Sequence, residues 1–279
     1  MVRLSKDVRI ALIGGGKMGE AVMGGWIASG KEPAASLTAE NFVVANPGLP
    51  RREHLEQAYG VACVEQAVDI DAADIVVLAV KPQVMMGVLE AISSEPQFAE
   101  CLFVSIAAGM TTERLQTALP SRVRLVRTMP NTPLLVGAGA TTVCGSASAT
   151  EGDIELVQAL FSCLGAAFVV DEDDMDATGA LSGSGPAYVA AMIEALTAAG
   201  AGEGLDAGLA EQLALQTVFG TAELMRETGQ TPEQTRIAVC SPGGSTLAAL
   251  AAMDEAGLSR AYEAGVRAAV QRSKELGAC

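Results

Sequence analysis

The chain has a single histidine, His54, and its six cysteines, Cys63, Cys101, Cys144, Cys163, Cys240 and Cys279, never stand in C-x-x-C spacing. A zinc site would have to be built from carboxylates alone, which is uncommon, so the sequence predicts no protein-bound metal. Cysteines in or beside apolar stretches pack as small hydrophobes, and this pattern is that of reduced thiols in a cytoplasmic protein. Basic residues are also scarce: 18 Lys and Arg against 33 Asp and Glu leave a formal charge of -15. With no basic excess to neutralise phosphates, nucleic acid and anionic membrane surfaces are excluded as partners. Any anionic cofactor must be held by local amides and individual Arg or Lys side chains. The first apolar run is short and ends in a glycine turn rather than a cleavage site, so no secretion signal is expected. The uncharged stretch from Thr128 to Thr150 contains Pro130, Asn131 and Pro133. It could not satisfy its backbone in lipid, and no membrane partner is expected.

What is present points to an α/β chain. Half of the 279 residues are hydrophobic and 18% are charged, a length and composition that favour two domains. Short β-branched runs at 9–14, 41–46, 74–80 and 101–109, then at 122–131, 139–145 and 166–173, alternate with helical patterns. That alternation predicts a Rossmann-like, doubly wound parallel sheet over residues 1–173. The helical segments after Met110 and Ala149 begin with Thr and acidic residues and stop at Pro or Gly, as capped helices do. Beyond Asp173 the strand signal disappears. Leu258, Tyr262, Val266 and Val270 recur every four residues and give one apolar face. Residues 174–279 therefore form an all-helical domain, small enough that its long helices are expected to pack against another copy.

The first strand runs straight into GGGKMG. Gly14, Gly16 and Gly19 match the dinucleotide fingerprint, with Lys17 and Met18 between the last two. In a strand-turn-helix context the first glycine allows the tight turn, the second lets the backbone approach a pyrophosphate, and the third allows close helix packing. The helix N-terminus supplies free amides and a favourable dipole for the anion. Cofactor choice is read after the second strand. There Asn46 replaces the carboxylate that would select NADH, and Arg51 and Arg52 follow, which favours NADPH; as residues opening a solvated helix they leave NADH open. His54, on the adenosine side, is expected to face solvent. Ala79, Val80, Lys81 and Pro82 after one strand, and Asn131 after another, are expected to border the nicotinamide. Lys81 reads either as an acid or anion contact or as a strand-end lysine pointing to water.

A second glycine turn, SPGGST, spans 241–246. Pro242, Gly243 and Gly244 shape the turn, Ser245 or Thr246 caps the following helix, and the amides of Gly244, Ser245 and Thr246 suit a small carboxylate. A plain capped helix would look the same. The small-residue stretch LSGSGPAY (181–188) reads either as close helix packing or as a floor beneath nicotinamide and substrate. Together the two stretches suggest a compact pocket for a small anionic substrate between domains or subunits. No His, Lys or Tyr stands ready to protonate an alkoxide there, whereas a protonated imine yields a neutral amine directly. The chemistry leans toward C=N reduction.

In order, the glycine fingerprint, AVKPQ, TMPNTP, LSGSGPAY and SPGGST resemble the pyrroline-5-carboxylate reductases over essentially the whole chain. The resemblance implies an N-terminal Rossmann-like domain and a C-terminal helical domain that interlocks into a homodimer, often five dimers to a decamer. It implies hydride transfer from NAD(P)H to C5 of 1-pyrroline-5-carboxylate, giving L-proline. Thr246 would hydrogen-bond the ring nitrogen, and the backbone from Gly243 to Thr246 would hold the substrate carboxylate. The related hydroxyacid dehydrogenases carry a Lys a few residues after a GSG motif. Here Gly183, Ser184 and Gly185 are followed by no Lys before Glu194.

Overall fold

The computed structural model describes residues 4–120 and 122–278, so Cys279 lies outside the described residues. The chain begins with β1 (Ile10–Ile13), α1 (Lys17–Ala28), β2 (Phe42–Ala45), α2 (Leu49–Tyr59), β3 (Ala62–Val64), β4 (Ile75–Leu78), α3 (Pro82–Ile92) and β5 (Leu102–Ser105). It continues through α4 (Thr112–Thr117), β6 (Arg124–Met129), β7 (Gly139–Gly145), α5 (Glu151–Ser162), β8 (Gly165–Val169) and α6 (Met175–Thr178). One sheet holds all of these strands in the order β3-β2-β1-β4-β5-β6-β7-β8. Its pairs are parallel except β6 with β7, which is antiparallel. The doubly wound sheet expected from the alternating pattern is therefore present, but its last two strands, β7 and β8, run opposite to the other six.

Side chains that alternate along each strand feed two cores, one on each face. Ile10 and Leu12 join Val22, Met23 and Trp26 of α1 and Leu160 and Phe161 of α5. Ala11 and Ile13 join Met85 and Leu89 of α3 and Leu115 of α4. Each fully buried aliphatic or aromatic side chain contributes roughly 1.5–3 kcal/mol. The helices that close over the sheet start as their sequences suggest: the Thr111 hydroxyl accepts from Arg114 N in α4, and Thr150 and Asp153 form a reciprocal capping box in α5. Burial pushes the Cys101 and Cys144 thiols up to about 11, which keeps both protonated.

Strand β3 was not expected from the sequence. It is a three-residue edge strand whose side chains are at most half-buried, so it carries no apolar run to mark it. Packing also divides the chain later than the strand signal does. One compact unit runs to Ser184 and takes in the residues from Ala269 onward; the other is Gly185–Ala268. The first unit extends past β8 because Met175 and Ala180 are buried and Gly179 and Gly183 lie against Met129. A π turn at Gly179–Gly183 ends this stretch.

The second unit contains α7 (Gly185–Gly202), α8 (Ala207–Thr228), α9 (Pro232–Ala238), α10 (Ser245–Glu255) and most of α11 (Leu258–Ala278). Its core is thin, with only Ala210, Ala214, Thr235 and Gly257 buried. Phe219, Leu213 and Leu215 are exposed, and Tyr188, Met192, Met253, Tyr262 and Val266 line an apolar groove of about 660 Å³ between α7, α10 and α11. So much uncovered apolar surface marks an association face. The last turns of α11 pack in the first unit. Arg114 Nη1 donates to Gly277 O at 2.6 Å, and Ser273 Oγ donates to Asp176 Oδ1 at 2.6 Å.

Trp26 ties the first core together. Its Nε1 donates to Leu160 O at 2.9 Å and its ring meets Phe161 edge-on at 5.4 Å. Trp26→Ala leaves a large cavity and removes one of the two hydrogen bonds to Leu160 O, and the expected loss is about 3–5 kcal/mol. Urea denaturation followed by far-UV circular dichroism measures it; a loss below about 1 kcal/mol would remove Trp26 from this role.

Candidate active site

The glycine loop is shaped by contacts that leave no room for side chains. Gly14 has φ +103°, and a Cβ there would lie 2.7 Å from the Ala79 carbonyl carbon and oxygen. A Cβ on Gly19 would strike Gly14 O and stand 3.0 Å from Ala79 Cβ. At Gly16 nothing lies within 4 Å of the Cβ position, so the backbone faces open space. Gly16 is also the N-cap of α1 and offers no side-chain cap. The amides of Lys17, Met18 and Gly19 have no acceptor among the described residues, and the first backbone bond back to the cap is Glu20 N to Gly16 O. Open space beside free amides at a helix start fits a dinucleotide pyrophosphate.

A cavity of about 620 Å³ extends from this loop. It brings together Gly14, Gly16, Asn46, Ala79, Val80 and Lys81 from the residues expected at a cofactor site. Asn46 Oδ1 accepts from Gly15 N at 3.3 Å, which ties the end of β2 to the loop. Lys81 is exposed, caps α3 through its backbone and has no ionic partner among the described residues. Pro82 sits at the first position of α3 and fixes where that helix begins. Met18 packs on the core while Lys17 is exposed at the first position of α1.

The arginines expected beyond β2 divide. Arg52 Nη1 donates to Asn46 O at 2.7 Å and to Pro47 O at 2.8 Å, bracing the loop. Arg51 turns back over the glycine loop, donating through Nε to Gly15 O and pairing with Glu20. His54 Nε2 is 2.9 Å from the other Glu20 oxygen, half-exposed as expected. Burial alone would raise the Glu20 carboxyl, but hydrogen bonds from His54 and Arg51 and the Arg51 charge outweigh it and hold it below the usual carboxylate range. Sequence reasoning passed over Glu20, and it passed over Glu65 and Gln66 of the cavity wall because β3 was not recognised.

Asn131 follows β6, as expected. Its carboxamide is buried and already engaged: Oδ1 accepts from Ala140 N at 2.8 Å, and Nδ2 donates to Ser182 O at 3.0 Å. It clamps the end of β6 to the start of β7 and to the π turn, and it does not line the cavity.

In the second unit the SPGGST turn has Gly243 at φ +69° and Gly244, not Ser245 or Thr246, as N-cap. Gly244 N donates to Ser241 O at 3.0 Å and so is not free. Without a side-chain cap, the open amides are those of Ser245, Thr246 and Leu247, one residue later than the sequence suggested. A Cβ on Gly244 would meet Ser241 Oγ at 2.5 Å, which explains that glycine. The Thr246 hydroxyl, on a half-buried residue, has no hydrogen-bond partner among the described residues. Residues 241–250 include no ionisable side chain.

Residues 172–276 match the family model described as pyrroline-5-carboxylate reductase dimerisation, and residues 9–109 match NADP oxidoreductase coenzyme F420-dependent. The pyrroline-5-carboxylate reductase of Synechocystis sp. is 39% identical over 272 residues, covering 97% of this chain and 99% of that protein. The solved structure of the Coxiella burnetii pyrroline-5-carboxylate reductase superposes with TM-score 0.86 at 34% identity, over 97% of this chain and 98% of that one. The Plasmodium falciparum pyrroline carboxylate reductase, solved with NADP bound, gives TM-score 0.86 at 29% identity, over 98% of this chain and 100% of that one. With the glycine fingerprint, the cofactor-sized cavity and the uncapped SPGGST helix in one sequence, the chain belongs to the pyrroline-5-carboxylate reductase family.

Proposed function

We propose that this chain reduces 1-pyrroline-5-carboxylate at C5 to L-proline with NAD(P)H, the last step of proline biosynthesis. The observation that carries the reading is the start of α10, where three open amides and the Thr246 hydroxyl stand together without an ionisable neighbour in the turn. The free amides of Ser245, Thr246 and Leu247, at the positive end of an eleven-residue helix, suit a small carboxylate. The Thr246 hydroxyl can donate to or accept from a ring nitrogen and so orient the imine. NAD(P)H supplies the hydride. When a protonated imine accepts it, the C=N π bond becomes the nitrogen lone pair and a neutral amine forms, so no side chain has to deliver a proton to carbon or to an alkoxide.

On the cofactor side, Gly14, Gly16, Lys17, Met18 and Gly19 would hold the pyrophosphate, Asn46 and Arg51 the adenosine ribose, and Ala79, Val80, Lys81 and Pro82 the rest of the cavity. Residues 1–173 would serve as the dinucleotide-binding domain and 174–279 as the dimerisation and substrate domain. The exposed apolar faces of α7, α8 and α11 support a homodimer, and the family resemblance supports a decamer of five dimers in the cytoplasm. Among the described residues no helix is long and apolar enough to cross a membrane.

The reading is tested by following the oxidation of NADPH through the absorbance of its reduced nicotinamide, with 1-pyrroline-5-carboxylate and with a panel of keto acids. Turnover with the imine and none with the keto acids is expected; the reverse would overturn it. Thr246→Ala is expected to lower kcat about 10-fold or more while the dissociation constant for NADPH stays unchanged, because the hydroxyl orients the reacting ring and not the cofactor. Gly19→Ala should do the opposite to binding. The added methyl strikes Gly14 O, and the NADPH dissociation constant is expected to rise about 10-fold or more in fluorescence titration.

A further inference from the structure

The fingerprint loop carries a charge arrangement that the reaction itself does not use. Gly15 is held from both sides: its N–H donates to Asn46 Oδ1 at 3.3 Å, and its carbonyl accepts from Arg51 Nε. The Arg51 guanidinium and the Asn46 carboxamide thus meet on one residue, at the end of β2, where a Rossmann-like sheet recognises the adenosine ribose. Arg52 cannot share that role. Its guanidinium is committed to the loop carbonyls and to Glu65 at 3.4 Å, with its side chain only 14% exposed. Arg51 is therefore the cation at this corner that could meet a 2′-phosphate.

Yet Arg51 is not a free charge. Glu20 Oε2 pairs with its Nη2, while Glu20 Oε1 faces His54 Nε2 at 2.9 Å. The carboxylate side chain is 19% exposed, so solvent screens the pair only in part. A full negative charge thus sits beside the cation on which discrimination between the two dinucleotides rests. Its repulsion of a 2′-phosphate acts on NADP+ alone, because the pyrophosphate is common to both cofactors and cancels in their ratio.

We infer that Glu20 is a specificity-determining residue that offsets the Arg51 charge and so restrains the preference for a 2′-phosphorylated dinucleotide, allowing both cofactors to be used. The inference rests on the reading that the end of β2 receives the adenosine ribose. Glu20→Gln keeps an acceptor for Arg51 and removes the charge; Glu20→Asp keeps the charge and alters the packing.

The test is isothermal titration of NADP+ and NAD+ into the full-length protein and into Glu20→Gln, Glu20→Asp and Arg51→Ala, with circular dichroism to verify folding. For Glu20→Gln the ratio of the NAD+ to the NADP+ dissociation constant should rise about 5-fold, the order expected for losing one partly screened charge near a dianion. For Glu20→Asp the ratio should stay near that of the wild type, and for Arg51→Ala it should fall. A ratio unchanged or lowered in Glu20→Gln, or raised equally in Glu20→Asp, overturns the role of the Glu20 charge while a fall in Arg51→Ala leaves the cofactor reading standing. An unchanged ratio in Arg51→Ala overturns the placement of the 2′-phosphate at Arg51 and the inference with it.

Discussion

The first unit depends on one close approach, that of Gly14 to the Ala79 carbonyl, where no Cβ can fit. It brings the ends of adjacent strands into step. Gly14 N donates to Ala45 O at 2.9 Å, Ala79 N to Ile13 O at 2.8 Å and Asn46 N to Val64 O at 3.0 Å, so the ladder runs one residue beyond each strand. The residues that follow the strands, Gly14, Asn46, Glu65 and Ala79, thereby become neighbours and wall one cavity. A doubly wound sheet places ligands beyond its strand ends. Here the absence of a side chain at one glycine sets how closely those ends align.

Helix starts divide by whether a side chain caps their first turn. The helices α4, α5, α8 and α9 open on Thr111, Thr150, Asp206 and Thr231, whose side chains accept from first-turn amides. The helices α1, α2, α3 and α10 open on Gly16, Gly48, Lys81 and Gly244, where no side chain caps the first turn. A capped amide is already satisfied and has nothing to offer a ligand, whereas an uncapped start at the surface keeps its donors for water or an anion. Each uncapped start thus forgoes roughly 0.5–2 kcal/mol of local stability that a good cap would supply. In α1 and α10 the uncapped starts coincide with the two glycine turns that the sequence sets apart.

How much of this was legible in the sequence depended on the range of the interaction. Gly14, Gly16 and Gly19 could be read because their spacing encodes a local turn, and the strand pattern from Ile10 to Val143 could be read because burial on both faces leaves continuous apolar runs. Edge strand β3, with half-buried side chains, left no such trace, and Glu65 was lost with it. The Gly244 cap was missed by one residue because Ser245 and Thr246 are the commoner capping types, and only the φ and ψ angles reveal which residue precedes the helix. The engagement of Asn131 was hidden for another reason. Its partners, Ala140 and Ser182, lie on a later strand and in the π turn, and nothing near TMPNTP announces them. The meeting of Arg51 with Glu20 joins α2 to α1 and is likewise a tertiary fact.

The charge balance of the chain explains why amides, not cations, stand at both glycine turns. A formal charge of -15 sets the surrounding field against a dinucleotide and against an amino-acid carboxylate alike. Adding lysines at the turns would counter that field, but each would bring a mobile, strongly hydrated side chain and an ordering cost. Backbone N–H groups at a helix start are already fixed by the helix, carry no proton that titrates near neutrality and need no reorganisation to meet an anion. They hold an anion by geometry, with less dependence on salt than a cluster of surface cations would show. The one arginine drawn against the fingerprint loop is itself paired with a carboxylate, so even there the structure limits net positive charge. A reaction that ends in a neutral amine would suit such a site: in the proposed reading its hydroxyl and fixed dipoles would orient the imine without a titrating group to protonate or lose.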